Sequence, residues 1–112
     1  MSDTPTLPVV TDDTLAAAVT PGTGLVAVEF SAAWCAPCRV FGPIVEQVAH
    51  EYASRLRVVL MDSDTSPAAT ARYNVRSLPT LLVFRDGEVV DRVVGAVPKA
   101  ALRERLDRLT AP

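Results

Sequence analysis

The sequence predicts an α/β domain in which helices cover both faces of a mixed β-sheet. Short apolar runs typical of strands alternate along the chain with segments whose apolar residues recur at helical spacing. With 112 residues, 49% of them hydrophobic, the chain can form one core, and we predict a single domain over residues 1–112. The last two strand-like runs are joined by Asp-Gly, which predicts an antiparallel hairpin.

The first part of the chain predicts an edge strand and a helix. Residues 1–6 are mostly polar, and we expect a flexible lead-in there, followed by a short edge strand over residues 7–10. Thr11 is a favourable N-cap for a helix over residues 12–19, and the two aspartates that open this helix suit the positive end of its dipole.

The centre of the sheet is predicted from residues 25–30, which are apolar at almost every position, as in a strand covered on both faces. Residues 35–52 predict a long helix with a kink at Pro43, because proline lacks a backbone donor. Residues 56–61 predict a second buried strand. The apolar residues at helical spacing in the long helix are Val40, Phe41, Ile44, Val45, Val48 and Tyr52.

The second half of the chain predicts a short helix, the hairpin and a final helix. Asp64 and the proline three positions later are expected to cap and start a helix over residues 67–73. Residues 80–84 and 88–94 are the two strands of the hairpin. A last helix over residues 98–109 is predicted to direct inward Ala101, Leu102, Leu106 and Leu109.

The charge and hydropathy of the chain exclude several classes of function. Eleven basic and thirteen acidic residues give a net charge of −2, and no block of one sign suggests binding to nucleic acid. The N-terminus lacks the features of a secretory signal, and no segment approaches the roughly 20 apolar residues that span a bilayer. We therefore expect a soluble, cytoplasmic protein without a membrane partner.

The chain has only two cysteines, Cys35 and Cys38, at the start of the predicted long helix. Cys38 would lie one turn further along the same face, close enough for a disulfide. In a reducing cytosol such a pair is expected to be catalytic or metal-binding. Zinc usually takes four ligands and the chain adds only His50, several turns away, so no single-chain metal site is predicted, while a site shared between two chains stays open.

The order of elements and several motifs resemble the thioredoxin family over about residues 7–110. The resemblance implies the thioredoxin fold, a three-layer α/β/α sandwich with a central mixed five-stranded sheet. The matching landmarks are Val28-Glu29-Phe30, Trp34-Cys35-Ala36-Pro37-Cys38, Pro43, Asp64 with Pro67, Leu78-Pro79-Thr80, Asp86-Gly87 and Val94-Gly95-Ala96.

The resemblance also implies an activity and its partners. The chain would be a thiol-disulfide oxidoreductase that reduces disulfide-containing proteins as a monomer. It would bind no cofactor beyond its own redox-active disulfide, and electrons would come from NADPH through thioredoxin reductase. Four positions depart from the family pattern: Ala36 replaces a glycine, Glu29 an aspartate, Leu60 a lysine and Ser31 an aromatic residue.

The cysteine motif assigns separate roles to its residues. Cys35 is the predicted nucleophile, because the helix start stabilises a thiolate. Cys38 is the predicted resolving residue, which attacks Cys35 in the mixed disulfide. Pro37 lies inside the small disulfide ring, where its fixed φ biases the balance between dithiol and disulfide.

Glu29 is a carboxylate in an otherwise apolar central strand. Burial would raise its pKa toward neutrality and suit it to carry a proton to and from Cys38. Leu60, in place of a cation, would leave that rise unopposed. The alternative is that the longer glutamate side chain bends out to water and does not affect the thiols.

The resemblance implies a cis bond between Leu78 and Pro79, which would place Pro79 opposite the cysteines. An uncharged, mostly apolar surface around Cys35 would then bind an extended peptide. For Trp34 the alternative is ordinary core packing, and for Gly95 a turn at the end of a strand. The predicted substrate-binding residues are Trp34, Ala36, Leu78, Gly95 and Ala96.

Two further functions stay open. The same residues could work as an oxidant or isomerase, since the two residues between the cysteines tune the reduction potential. The chain could instead be a thioredoxin-like binding module, or a domain that clasps a metal between two chains without turnover.

Overall fold

A mixed five-stranded sheet organises the protein, with strand order β1-β3-β2-β4-β5. The computed structural model describes residues 7–111, so the predicted lead-in lies outside the described residues. The elements confirm the predicted α/β class. They are β1 Val9–Val10, α1 Leu15–Val19, β2 Leu25–Ser31, α2 Ala36–Glu51, β3 Arg57–Asp62, α3 Pro67–Arg72, β4 Thr80–Arg85, β5 Glu88–Val94 and α4 Lys99–Thr110, with a 3-10 turn at Ser63–Thr65.

Strand β2 lies at the centre of the sheet, as its apolar sequence predicted. Val28 is in register with Val59 of the parallel strand β3 and with Leu82 of the antiparallel strand β4. The outer pairs are β1 with β3, parallel, and β4 with β5, antiparallel. The antiparallel pairing of β2 with β4 was not predicted. A short hairpin turn indicates that two strands are antiparallel, and no such turn joins β2 to β4.

Alternation along β2 divides the core into two layers. Ala27 packs with the apolar faces of α2 and α4, whereas Val26, Val28 and Phe30 pack with α1 and α3. Because side chains on a strand alternate between faces, Glu29 shares the face of Ala27 and is directed toward the α2 and α4 layer. The helix-side residues of that layer include Phe41, Val45, Val48, Tyr52, Leu102 and Leu106.

Helix α4 is amphipathic, with one correction to the predicted inward face. Leu102 and Leu106 are buried and Leu109 is half-buried, but Ala101 is exposed. At 3.6 residues per turn Ala101 is rotated about 100° from Leu102, which places it at the solvent side. None of the helices within residues 7–111 combines the length and apolar character needed to cross a bilayer.

The hairpin between β4 and β5 has the predicted two-residue turn. Asp86 and Gly87 both have positive φ, 52° and 87°. This conformation matches the twist of the two strands and explains the Asp-Gly sequence. The Asp86 carboxylate also accepts a hydrogen bond of 3.1 Å from the Gly22 amide, which ties the turn to the loop after α1.

Helix α1 begins later than predicted. Its first residue is Leu15, because the Thr11 carbonyl accepts from the Thr14 and Leu15 amides in a preceding turn. Asp12 therefore lies before α1 and not in its first turn, where it was predicted to interact with the helix dipole. Its carboxylate accepts hydrogen bonds of 3.1 and 2.8 Å from the Ala68 and Ala69 amides and so caps α3 from 56 residues away.

We expect Asp12→Ala to destabilise the protein by about 1 kcal/mol, since it removes the carboxylate that caps α3. Urea denaturation measures the change as a lower midpoint with an unchanged slope. Asp13→Ala is the matched control, because Asp13 is exposed and forms none of the observed hydrogen bonds. Equal stabilities of the two variants would contradict the capping role.

Candidate active site

The two cysteines lie at the start of α2. Cys35 is the N-cap residue, with extended backbone angles of −86° and 109°, and its Sγ accepts a 3.2 Å hydrogen bond from the Cys38 amide. Pro37 occupies the first turn, where its missing N–H leaves no helical bond unmade. The two sulfurs form a disulfide with a Cα–Cα distance of 5.3 Å. The predicted cysteine pair is therefore present as a compact redox-active ring.

The electrostatic surroundings of Cys35 favour a negatively charged sulfur. The first turn of α2 contains no acidic residue, so its free amides face Cys35 unopposed. Arg39 follows the motif, and its Nη2 donates a 3.0 Å hydrogen bond to the Ala33 carbonyl, which fixes the loop before the cysteines. Reduction would thus leave Cys35 at a site that stabilises a thiolate.

The disulfide is covered on its inner side by a small apolar cluster. Cys35 and Cys38 are only 3% and 4% exposed and pack with Ala32 and the half-buried Leu78. Ala36 and Pro37 are exposed beside them. A substrate therefore approaches over the first turn of the helix.

The loop before β4 brings Leu78 to the cysteines and lies against the end of β5. The Leu78–Pro79 bond is cis, which confirms the expectation from the resemblance. The Pro79 carbonyl accepts a 2.8 Å hydrogen bond from the Gly95 amide, so the end of β5 lies against this loop. Gly95 has φ of 89°, a conformation that favours glycine, and Ala96 beside it is exposed.

Trp34 is on the surface and not in the core. Its side chain is 67% exposed, and its Nε1 donates a 2.8 Å hydrogen bond to Asp64 Oδ2. The expectation that Asp64 caps a helix is wrong, because Asp62 accepts from the Asp64 amide at the 3-10 turn and leaves the Asp64 carboxylate for the indole. The expectation that Pro67 starts α3 is confirmed.

Two valines that neighbour predicted site residues in the sequence are exposed, and their exposure was not predicted. Val40 is 64% exposed, although the helical pattern suggested that it packs on the sheet, and it lies one turn beyond Pro37. Val94, which precedes Gly95, is 53% exposed. In the sequence, Val40 follows Pro37 by three residues and Val94 directly precedes Gly95. Their closeness to these predicted site residues was the only indication that they could be exposed.

Glu29 is buried in the centre of the sheet and does not bend out to water. The residue is 2% exposed, its register neighbours are Leu60 and Leu81, and its Oε2 has no hydrogen-bond partner within residues 7–111. Burial, assisted by the charge of Glu46, raises the pKa of Glu29 to about 7. Glu29 faces the layer that contains α2, as proton exchange with Cys38 requires.

His50, the third potential zinc ligand, is exposed near the end of α2, far from the cysteines. Among residues 7–111, no three side chains of histidine, cysteine, aspartate or glutamate are grouped so that they could hold a metal ion.

Comparisons with known proteins identify the family. The Thioredoxin family model matches residues 6–108. The chain belongs to the thioredoxin family. It is 43% identical over 99 residues to Thioredoxin 1 of Synechococcus elongatus, which covers 88% of this chain and 92% of that protein. It is 47% identical over 83 residues to a thioredoxin of Pyropia yezoensis (74% and 78% covered), and 45% identical over 85 residues to one of Staphylococcus epidermidis (76% and 82%).

Membership of the thioredoxin family, together with the Cys35–Cys38 disulfide, makes this chain a dithiol-disulfide oxidoreductase that acts on protein disulfides. As a thioredoxin it departs from the usual pattern at Glu29 and Leu60. These two residues are direct neighbours on adjacent strands. The buried acid therefore has an apolar partner where the family pattern has a cation.

Proposed function

We propose that this thioredoxin reduces protein disulfides in the cytoplasm and is itself reduced by thioredoxin reductase with electrons from NADPH. The observation that carries the proposal is the position of Cys35 as N-cap of α2, with the Cys38 amide donating to its sulfur. A hydrogen bond to a sulfur favours its anionic form, and the thiolate is the form that attacks disulfides.

In the first step, the Cys35 thiolate attacks one sulfur of the substrate disulfide. An S–S bond forms between Cys35 and the substrate, and the substrate's second sulfur leaves as a thiolate, which takes up a proton. The exposed Trp34, Ala36 and Pro37 lie beside Cys35 and offer an uncharged surface for the polypeptide around that disulfide. Such a surface accepts many sequences.

In the second step, Cys38 attacks the Sγ of Cys35 and releases the reduced substrate. The Cys38 thiol loses its proton to the Glu29 carboxylate, and the bond between Cys35 and the substrate is exchanged for the internal disulfide. Burial supports this role, since a carboxyl with a pKa of about 7 can both accept and return a proton near neutral pH. The protein ends in its oxidised form.

This chemistry supports the proposed location and partners. A disulfide that must be reopened in every cycle needs a reducing compartment, which supports the cytoplasm. The reactive ring and its surface occupy one end of a single chain, so a monomer suffices to present them to the reductase and then to a substrate.

The test is reduction of insulin by the purified protein with NADPH and thioredoxin reductase, followed as NADPH oxidation and as precipitation of the insulin B chain. We expect catalytic turnover that requires all three components. Turnover with dithiothreitol but not with the reductase would overturn the proposed electron donor. No turnover with either donor would overturn the reductase function and favour a binding module.

A measured reduction potential separates the reductase from an oxidant or isomerase. We expect a potential near −270 mV, typical of thioredoxins. A value between about −120 and −180 mV would instead indicate an oxidant or isomerase.

A further inference from the structure

A cavity of about 370 Å³ lies where β1, β2 and β3 end. Among the residues that line it are Ser31, at the end of β2, and Leu60 on β3. Val9 and Ala33 also line it and are exposed, so the cavity opens to solvent. A water molecule takes about 30 Å³ in the liquid, so several can enter. We call this space the Ser31 cavity.

The Ser31 cavity lies beside the buried Glu29, on the same face of the sheet. Leu60 is the register neighbour of Glu29 on β3, and Val9 is the register neighbour of Leu60 on β1. Ser31 follows Glu29 by two residues on β2, so the two side chains share a face. Adjacent strands are about 4.8 Å apart, and alternate residues of a strand about 7 Å. Two walls of the cavity are therefore direct neighbours of the acid.

The surroundings of Glu29 within the sheet differ in their access to solvent. On this face its neighbours are Ala27 and Ser31 along β2, and Leu60 and Leu81 on the adjacent strands. Ala27 and Leu81 are each only 1% exposed. Ser31 and Leu60 are half-buried, and both line the cavity. Along the sheet, the way from Glu29 to solvent therefore passes between Ser31 and Leu60.

The proton of Glu29 needs water as its carrier. Oε2 of Glu29 has no hydrogen-bond partner within residues 7–111, so no side chain of this part of the chain relays a proton from that oxygen. The neighbours on β3 and β4 are leucines, which do not titrate. Glu46 of α2 is near enough for its charge to raise the pKa of Glu29, yet it does not bond to Oε2. A proton that leaves Oε2 must therefore pass to water.

Two departures from the thioredoxin pattern form the walls of this cavity. Ser31 replaces an aromatic residue, whose ring would take up space in the cavity, and Leu60 replaces a lysine, whose amine could exchange protons. Glu29, between them, is a third departure. The three substitutions together place an open space beside a longer acid and remove the neighbouring titratable group.

We infer that the Ser31 cavity is the route by which Glu29 exchanges its proton with solvent. In the resolving step the Cys38 thiol gives its proton to the Glu29 carboxylate. The carboxyl then gives this proton to a water molecule in the cavity, which passes it to bulk solvent, and the carboxylate is restored. Ser31 and Leu60 act as positioning residues that keep the route open. The inference rests on the proposed role of Glu29 and adds the path of its proton.

The test measures proton exchange at Glu29 by carbon-13 NMR of its side-chain carboxyl. The oxidised protein is used, because disulfide-bonded cysteines do not titrate, and Glu29→Gln assigns the signal. Near pH 7, where burial places the pKa of Glu29, both protonation states are populated. We expect one averaged signal from the wild-type protein, since an open path through water makes exchange fast.

Variants that fill the cavity assign the route. We expect S31W and L60F each to slow exchange at Glu29 by about tenfold or more and to broaden or split its signal, because they exclude water. S31A keeps the space and is expected to exchange like the wild-type protein. A16W is the control for added bulk, since Ala16 lines a different cavity between α1 and α3.

The outcomes separate this inference from the proposed function. Fast exchange in both S31W and L60F, equal slowing by A16W, or two separate wild-type signals would overturn the cavity route. Slowing by E46Q alone would also overturn it and assign the path to α2. Insulin reduction with dithiothreitol is measured on the same proteins. Its absence in the wild-type protein would overturn the reductase, while the NMR result would still decide the route. Slowing confined to S31W and L60F supports the inference.

Discussion

Replacement of Cys35 by serine is expected to reduce disulfide reduction to the rate measured without protein. A hydroxyl in place of the thiol does not form the anion that attacks a disulfide, and no other cysteine in the chain can replace it as nucleophile at the N-cap of α2. The measurement is insulin reduction with dithiothreitol as donor, so that loss of the reductase contact does not affect the result.

Cys38→Ser is the matched variant, since it removes the other half of the same disulfide. Its nucleophile is intact, but nothing resolves the mixed disulfide, so we expect a covalent complex with one substrate molecule per chain. Mass spectrometry under non-reducing conditions detects this complex. If Cys35→Ser formed it and Cys38→Ser did not, the two roles would have to be exchanged.

Replacement of Glu29 by glutamine is expected to stabilise the protein by about 3 kcal/mol at pH 8. The pKa of Glu29 rises from 4.5 to about 7 on folding, chiefly through burial, and each pH unit between these values corresponds to 1.36 kcal/mol. Ionisation of this buried acid therefore opposes folding at high pH. Glutamine has a similar shape and no charge to bury.

The raised pKa of Glu29 predicts how the stability difference between the two proteins changes with pH. Between pH 4.5 and 7 the folded chain holds the Glu29 proton and the unfolded chain does not, so this residue lowers stability progressively as pH rises through that window. The two proteins should be similar near pH 4 and diverge up to pH 7. Urea denaturation at several pH values measures the difference. A constant difference across this range would exclude an ionising Glu29.

Glu46→Gln is the control for this measurement, because the charge of Glu46 is the smaller cause of the raised pKa. We expect a smaller gain at high pH from this variant. The same Glu29→Gln protein also tests proton transfer, since loss of a general base typically slows a step by a factor of about 10² or more. Resolution of the mixed disulfide above pH 7 should slow, and its inflection near pH 7 should disappear.

Much of the fold could be predicted because its signals are local. The apolar run of β2, the helical spacing of α2 and the Asp-Gly turn each reside within a few neighbouring residues, and all three elements are present. The start of α1 was missed since the Asp12 carboxylate caps α3, which it contacts first at Ala68, 56 residues away. The helix-capping preference of a residue in the sequence does not show which distant backbone amides it will bind after folding.

In the site, too, features with a local sequence signal were predicted and features that depend on distant residues were not. The cysteine motif and the family resemblance located Cys35 and Cys38, and the apolar context of Glu29 predicted its burial. The exposure of Trp34 could not be read from its own neighbours, and the partner of its indole N–H, Asp64, lies 30 positions further along the chain.

The division of the core by the two faces of the sheet has a practical consequence for protein engineering. The layer formed with α1 and α3 contains Val26, Val28 and Phe30, whereas the cysteine helix packs on the opposite face. Leu78 touches both that layer and the cysteines. Heat resistance can therefore be sought by redesigning the α1 and α3 side, with Leu78 kept, while the redox chemistry on the other side is left as it is.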